Sequence, residues 1–163
     1  MPRNHGNPNE QFQAVEELLT RWLRERRALL GRYTEIAVAL DSNSGGDTLR
    51  ERQESLCELL VDYVSAGHFE VFHELLNEAE AFADGSSAVA GKLIPAIGDT
   101  TEVILAYEEK YNGSDNHEDT LKRDLSALGE MLESRFVMED QLIAGLHNRH
   151  RRLVSDQAPA AST

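Results

Sequence analysis

The chain carries six histidines, one cysteine and 29 carboxylate side chains in 163 residues, and a few of them fall at spacings that could do chemistry. Glu70-Val-Phe-His73 sets a carboxylate three residues before an imidazole. Carboxylate-bridged metal sites in helical bundles use two such pairs plus two further glutamates. The second pair is missing, because Ala144 precedes His147 at that spacing and Ser114 precedes His117. Glu70 and His73 therefore define a metal-binding alternative that the rest of the chain does not complete. Asp62, Ser65 and His68 have the inventory of a nucleophilic triad. Asp62 and Ser65 lie one helical turn apart, however, and the hydroxyl can simply cap or bond back to the backbone. Adjacent Glu139 and Asp140 face different directions on a helix and cannot act jointly, while Arg135 stands four residues before Glu139 as an ion-pair partner. His147 and His150 share a helix face beside Arg149, Arg151 and Arg152, which repel a divalent cation; they read as solvated cations at a helix end. Cys57 alone can form neither an intramolecular disulfide nor a zinc site. Among Leu56, Leu59 and Leu60 it reads as a small core residue. There is no glycine-rich phosphate loop and no nucleophile elbow. The expectation is a protein that binds and does not catalyse, and that needs no cofactor.

The elements that position these residues are helical. From about Glu10 to Leu40, Phe12, Val15, Leu18, Leu19, Trp22, Leu29, Leu30, Tyr33, Ile36 and Leu40 recur in steps that favour one helix stripe. Asp41 to Asp47, rich in Ser, Asn and Gly, breaks it. Thr48 and Glu51 form a capping box for a second helix, which Gly67 is placed to stop as a left-handed residue. A third helix follows at once, with Phe69, Phe72, Leu75, Leu76, Ala79 and Phe82 inward, so that residues 60–69 form an interhelical corner. Asp84-Gly85-Ser86 separates it from a fourth helix in which Pro95 predicts a kink or a split into two short helices. Asp115 and Glu118 open the last helix, which runs to about Leu153 on the stripe Leu121, Leu125, Leu128, Leu132, Phe136, Leu142, Ile143 and Leu146. The expected fold is all-α, an antiparallel bundle of the four-helix type with five main helical segments. Residues 10–154 make one domain, between a disordered N-terminus (1–9) and a disordered tail (155–163).

Composition narrows the partners. Sixteen Lys and Arg stand against 29 Asp and Glu, a net charge of −13. That charge works against neutralising phosphates, so neither nucleic acid nor an anionic membrane is an expected partner. A basic protein is the better complement. No charged-then-apolar leader opens the chain, and the longest uninterrupted apolar run is only Ile36–Leu40, too short to span a bilayer. A soluble cytoplasmic protein is expected.

Three blocks carry a resemblance. Leu60-Val-Asp-Tyr-Val-Ser-Ala-Gly-His-Phe69, the segment Leu132-Glu-Ser-Arg-Phe-Val-Met-Glu-Asp-Gln-Leu-Ile143, and Arg21-Trp-Leu-Arg-Glu-Arg with Leu29-Leu30 and Tyr33 resemble the regulator-of-sigma-D family (Rsd/AlgQ). They occur in the family's order, over about residues 15–150. The resemblance implies an anti-sigma factor: a helical bundle, monomeric when free, that binds the C-terminal, −35-reading region of the housekeeping sigma factor. Binding would keep sigma from core RNA polymerase and shift transcription to alternative sigma factors, with other regulatory proteins as further partners. The chain looks closer to the branch described as regulating alginate or siderophore genes. By direct match, Leu18, Asp62, Ser65 and Phe69 are implied sigma contacts. Trp22, His68, Arg135, Glu139 and Asp140 match the family's motifs without an assigned contact. Physically, a sigma region that grips promoter DNA presents a basic surface, which an acidic bundle can cover. Leu18, Phe69 and Asp62 would make a compact anchor.

Overall fold

The computed structural model describes residues 7–42, 47–113 and 117–157, and every regular element among them is helical. Helix α1 spans Pro8–Asp41. It starts before the expected point because the Asn7 side chain accepts the Asn9 amide at 2.7 Å and Pro8 follows at the first helical position. There the missing N–H costs nothing and the ring's fixed φ suits the helix. The expected disorder of residues 1–6 lies outside the described residues. Helix α2, Asp47–Ala66, is already under way at Asp47, which puts Thr48 inside the first turn and not at its cap.

The main departure from expectation is at Gly67. Ala66 is right-handed helical (φ −61°, ψ −41°), and Gly67–Val71 continue as one π-helical turn into α3, Phe72–Phe82. The Phe72 amide donates to the Gly67 carbonyl, five residues back. No left-handed stop forms, and there is no corner. Residues 47–82 make one continuous helical path. Glycine is needed here for room: an added β-carbon would lie 3.0 Å from Trp22 Cζ2 and 3.5 Å from Phe72 Cζ. The left-handed cap comes later, at Ala83 (φ 51°, ψ 41°).

Helix α4, Ala88–Tyr111, runs through Pro95 as a single element. The carbonyl that Pro95 leaves without a donor belongs to Gly91, and both residues are exposed, so water can satisfy it. Two short helices do not form. Helix α5, Glu118–Leu146, has His117 as its cap residue, with no side-chain cap bond; Asp115 lies outside the described residues. It stops short of Leu153, because His147 (φ −129°, ψ −58°) leaves helical geometry. A 3-10 turn, Asn148–His150, then leads into α6, Arg151–Gln157. The tail expected to be disordered from Ser155 is thus helical to Gln157, and 158–163 are outside the described residues.

The packing closes a bundle of four rods: α1, the α2–α3 path, α4 and α5. Helix α1 lies against α2 and α3, α2 also against α4, α4 along α5, and α3 against α5. Leu29, Ile36, Leu56, Leu60, Val71, Leu75, Ile104, Leu142 and Leu146 are fully buried between them. Each such side chain contributes about 2 kcal/mol of burial free energy. Among the described residues no helix is long and apolar enough to cross a membrane.

Candidate functional site

The π-turn sets the surface around residues 60–71. Trp22 from α1 is buried against it, stacked on Tyr63 (centroids 4.7 Å apart, 2° between planes) and edge-on to Phe72. Its indole N–H donates to the Tyr63 carbonyl at 3.1 Å. The wider turn holds an extra residue, so Phe69 is rotated off the buried face that Phe72 occupies. Phe69 is 74% exposed, which corrects the expectation that it points inward. The exposed His68 meets its ring edge-on at 4.8 Å. A phenylalanine this bare on a rigid turn is unusual for a residue with no partner.

The other implied contacts are spread around that turn. Leu18 is half-buried on the core and lines a shallow cleft of about 260 Å³ with Arg21, Trp22, Glu25, Ala66, Glu70 and Val71. Leu18 thus packs down on the core while Phe69 projects into solvent, and the two do not form a stacked pair. Asp62 is exposed and opens onto a separate cleft of about 590 Å³, with Glu54, Cys57, Glu58, Val61, Glu108 and Asn112. Ser65, half-buried, follows it by one turn. Burial raises the Glu25 carboxyl above its ordinary pKa, and Asp62 and Glu70 push it the same way. Arg21 opposes that shift, and Glu70 directly follows Phe69 in the chain.

Arg135 and Glu139 support this surface from inside, and Asp140 joins them from the exposed side. Arg135 Nε donates to Glu139 Oε2 at 2.8 Å, the expected pair, and both residues are fully buried. Arg135 Nη1 also reaches Thr101 Oγ1 at 2.6 Å and Thr100 Oγ1 at 3.1 Å on α4. Arg26 on α1 completes the network, donating to Glu139 (2.9 Å), to exposed Asp140 (2.8 Å) and to the Tyr63 hydroxyl (3.0 Å). Tyr63 in turn donates to Glu139 at 2.5 Å. Burial raises Glu139 against the pull of Arg135, Tyr63 and Arg26. The network ties α1, α2, α4 and α5 together under Trp22.

Little here can act as a nucleophile or metal ligand set. Burial, with Glu108, Glu54 and Glu58 nearby, pushes the Cys57 thiol up to about 12, and its S–H donates weakly to the Glu108 carbonyl at 3.9 Å. Glu70 and His73 are both exposed. Among the described residues no group of three or more His, Cys, Asp and Glu side chains is arranged to hold a metal. His147 and His150 are not solvated, as expected from the sequence, but fully buried. They bond to Glu16, Glu78 and Asp84 across the fold. Sequence reasoning missed Arg26, Glu78 and this histidine role, since all depend on partners 37 or more residues away.

Residues 1–147 match the family described as "Regulator of RNA polymerase sigma(70) subunit, Rsd/AlgQ". The chain is 33% identical to the Regulator of sigma D of Yersinia enterocolitica over 132 residues, 78% of either protein. It is equally identical to that of Yersinia pestis over 131 residues, again 78% of each. Against that of Shigella boydii the identity is 33% over 141 residues, 84% of this chain and 88% of the relative. No solved structure matches the chain. The all-helical bundle and these matches lead to one assignment: the chain belongs to the Rsd/AlgQ family.

Proposed function

We propose that this chain regulates transcription by stoichiometric binding of the housekeeping sigma factor, through that factor's C-terminal, −35-reading region, without catalysis. Binding there occupies the surface sigma needs for promoter DNA and withholds it from core RNA polymerase, which favours alternative sigma factors. The reading is supported by family membership and by one observation above the rest, the 74% exposure of Phe69. A bare aromatic ring is the side chain that protein interfaces use as an anchor, and a ring of neighbouring contacts shields it from water on binding. Asp62 and Glu70 offer charge to a basic DNA-reading helix, which speeds encounter and selects the partner. Leu18 and Ser65 fill in the contact around the anchor.

Calorimetric titration of the full chain with an isolated sigma C-terminal region tests this. One-to-one binding is expected, weakened at least tenfold by Asp62→Lys with unchanged helicity. No heat with the wild-type chain at micromolar concentrations, or normal binding by that variant, defeats respectively the partner and the placement of Asp62.

A further inference from the structure

The C-terminal turn is held by a buried chain of carboxylates and imidazoles. Glu78 on α3 is shared: its Oε1 lies 2.6 Å from His147 Nδ1 and its Oε2 lies 2.5 Å from His150 Nδ1. On the outer side, His147 Nε2 lies 2.7 Å from Glu16 Oε1 on α1, and His150 Nε2 lies 3.0 Å from Asp84 Oδ2 in the loop before α4. Arg151 on α6 grips Glu16 with two bonds of 2.7 and 2.9 Å, and Arg149 approaches Asp84 at 3.4 Å. Glu78 and both histidines are fully buried. Phe12 stacks on the His147 ring at 4.2 Å and Phe82 on the His150 ring at 4.0 Å.

The hydrogens can be counted. Each of the four short contacts needs one. Arg151 donates to both oxygens of Glu16 and the Ser86 amide donates to Asp84 Oδ1, and both carboxyls lie down at about 2. Both outer carboxylates are therefore acceptors only, and both Nε2 atoms must carry hydrogen. A neutral imidazole has a single N–H, so both Nδ1 atoms would then face Glu78 with bare lone pairs. Glu78, if protonated, could supply one of the two hydrogens. At least one ring must be a cation, and the ring faces lying over Phe12 and Phe82 favour that charge.

We propose that His147, Glu78 and His150 form a proton-loaded clasp, which holds two protons more than two neutral imidazoles and an ionised glutamate, and which releases the C-terminal turn and α6 as the pH rises. The sign follows from linkage: the closed state binds more protons than the open one, so its advantage is full below the ordinary histidine pKa of about 6.5 and is eroded progressively as the pH rises beyond it. With two protons released, the opening equilibrium climbs by up to about 100-fold per pH unit. Opening would free Glu16 and Phe12 on the half of α1 that also carries Leu18.

Two measurements on the full chain decide it. Nitrogen-resolved NMR of the imidazoles at pH 7.5 is expected to show at least three of the four ring nitrogens of His147 and His150 protonated; one proton on each ring overturns the proposal. Amide exchange of residues 149–154, corrected for the intrinsic pH effect, is expected to report opening that rises steeply from pH 6.5 to 8.5. A flat profile overturns it. In Glu78→Gln the side-chain amide donates to one Nδ1 and its carbonyl accepts from the other, so one extra proton suffices and the slope should fall to about tenfold per unit. An unchanged slope in that variant removes Glu78 from the clasp. Should the variant not fold, the two wild-type measurements still decide.

Discussion

Trp22 fills the space that a β-carbon on Gly67 would need, with its Cζ2 3.0 Å from that point. The indole is held on its other sides by the Tyr63 stack and by its bond to the Tyr63 carbonyl, so it cannot retreat. Gly67→Ala must therefore reshape the turn that presents Phe69. A loss of about 1–3 kcal/mol is expected on urea denaturation, the usual cost of overpacking. The same variant is expected to bind the sigma region more weakly than its lower stability alone explains, as titration below its melting temperature would show.

Phe69→Ala separates binding from folding. A ring exposed to this degree supports little of the core, so stability is expected to stay within about 0.5 kcal/mol of wild type. Affinity for the sigma region should fall by about 2 kcal/mol, roughly thirtyfold. Thermal melting and calorimetry on one preparation check both halves.

Glu139→Gln should behave in the opposite way. It removes the carboxylate that Arg135, Arg26 and Tyr63 converge on, and leaves a fully buried guanidinium without its counter-charge. A destabilisation of about 3–5 kcal/mol is expected, measured by denaturant unfolding, with helicity retained under native conditions.

Salt should weaken the complex. Opposed surface charges are screened within about 10 Å at 0.1 M ionic strength, so the association rate is expected to fall as salt increases, while Phe69→Ala acts mainly on dissociation. Stopped-flow or surface-based kinetics at two salt concentrations would separate the two effects.

Acid has its own signature. Glu16 is held down at about 2 by Arg151, so its contribution is present above its ordinary value of about 4.3 and lost as pH falls through about 2. The stability difference between wild type and Glu16→Gln is expected to be constant from pH 6 to 5 and to vanish near pH 2. Unfolding followed by circular dichroism across that range checks it.

What the sequence made legible was local. The Leu121–Leu132 stripe, the Arg135–Glu139 pair and Trp22 on the inner stripe of the first helix all follow from helical spacing and side-chain chemistry, and all three are present. A 3.6-residue period carried through residues 67–71 puts Phe69 on the inner face, but the chain takes a wider turn there. The arginines beside His147 and His150 in the sequence suggest solvated rings. Their actual partners, Glu16 and Glu78, lie on other helices, and periodicity carries no information about cross-bundle pairs. Pro95 looked disruptive because its exposed position, which makes the lost bond harmless, depends on packing.

The extra residue in the Gly67–Val71 turn also sets the phase of everything after it on the second rod. Were the same residues wound as an ordinary α-helix, without the wider turn, α3 would swivel by about 100° relative to α2. Leu75 and Ala79 would leave the core, and Glu78 would swing away from both histidines at once. The width of this turn is therefore as much a part of the design as its composition: winding it tighter would unseat the rear of the molecule while every side chain kept its identity.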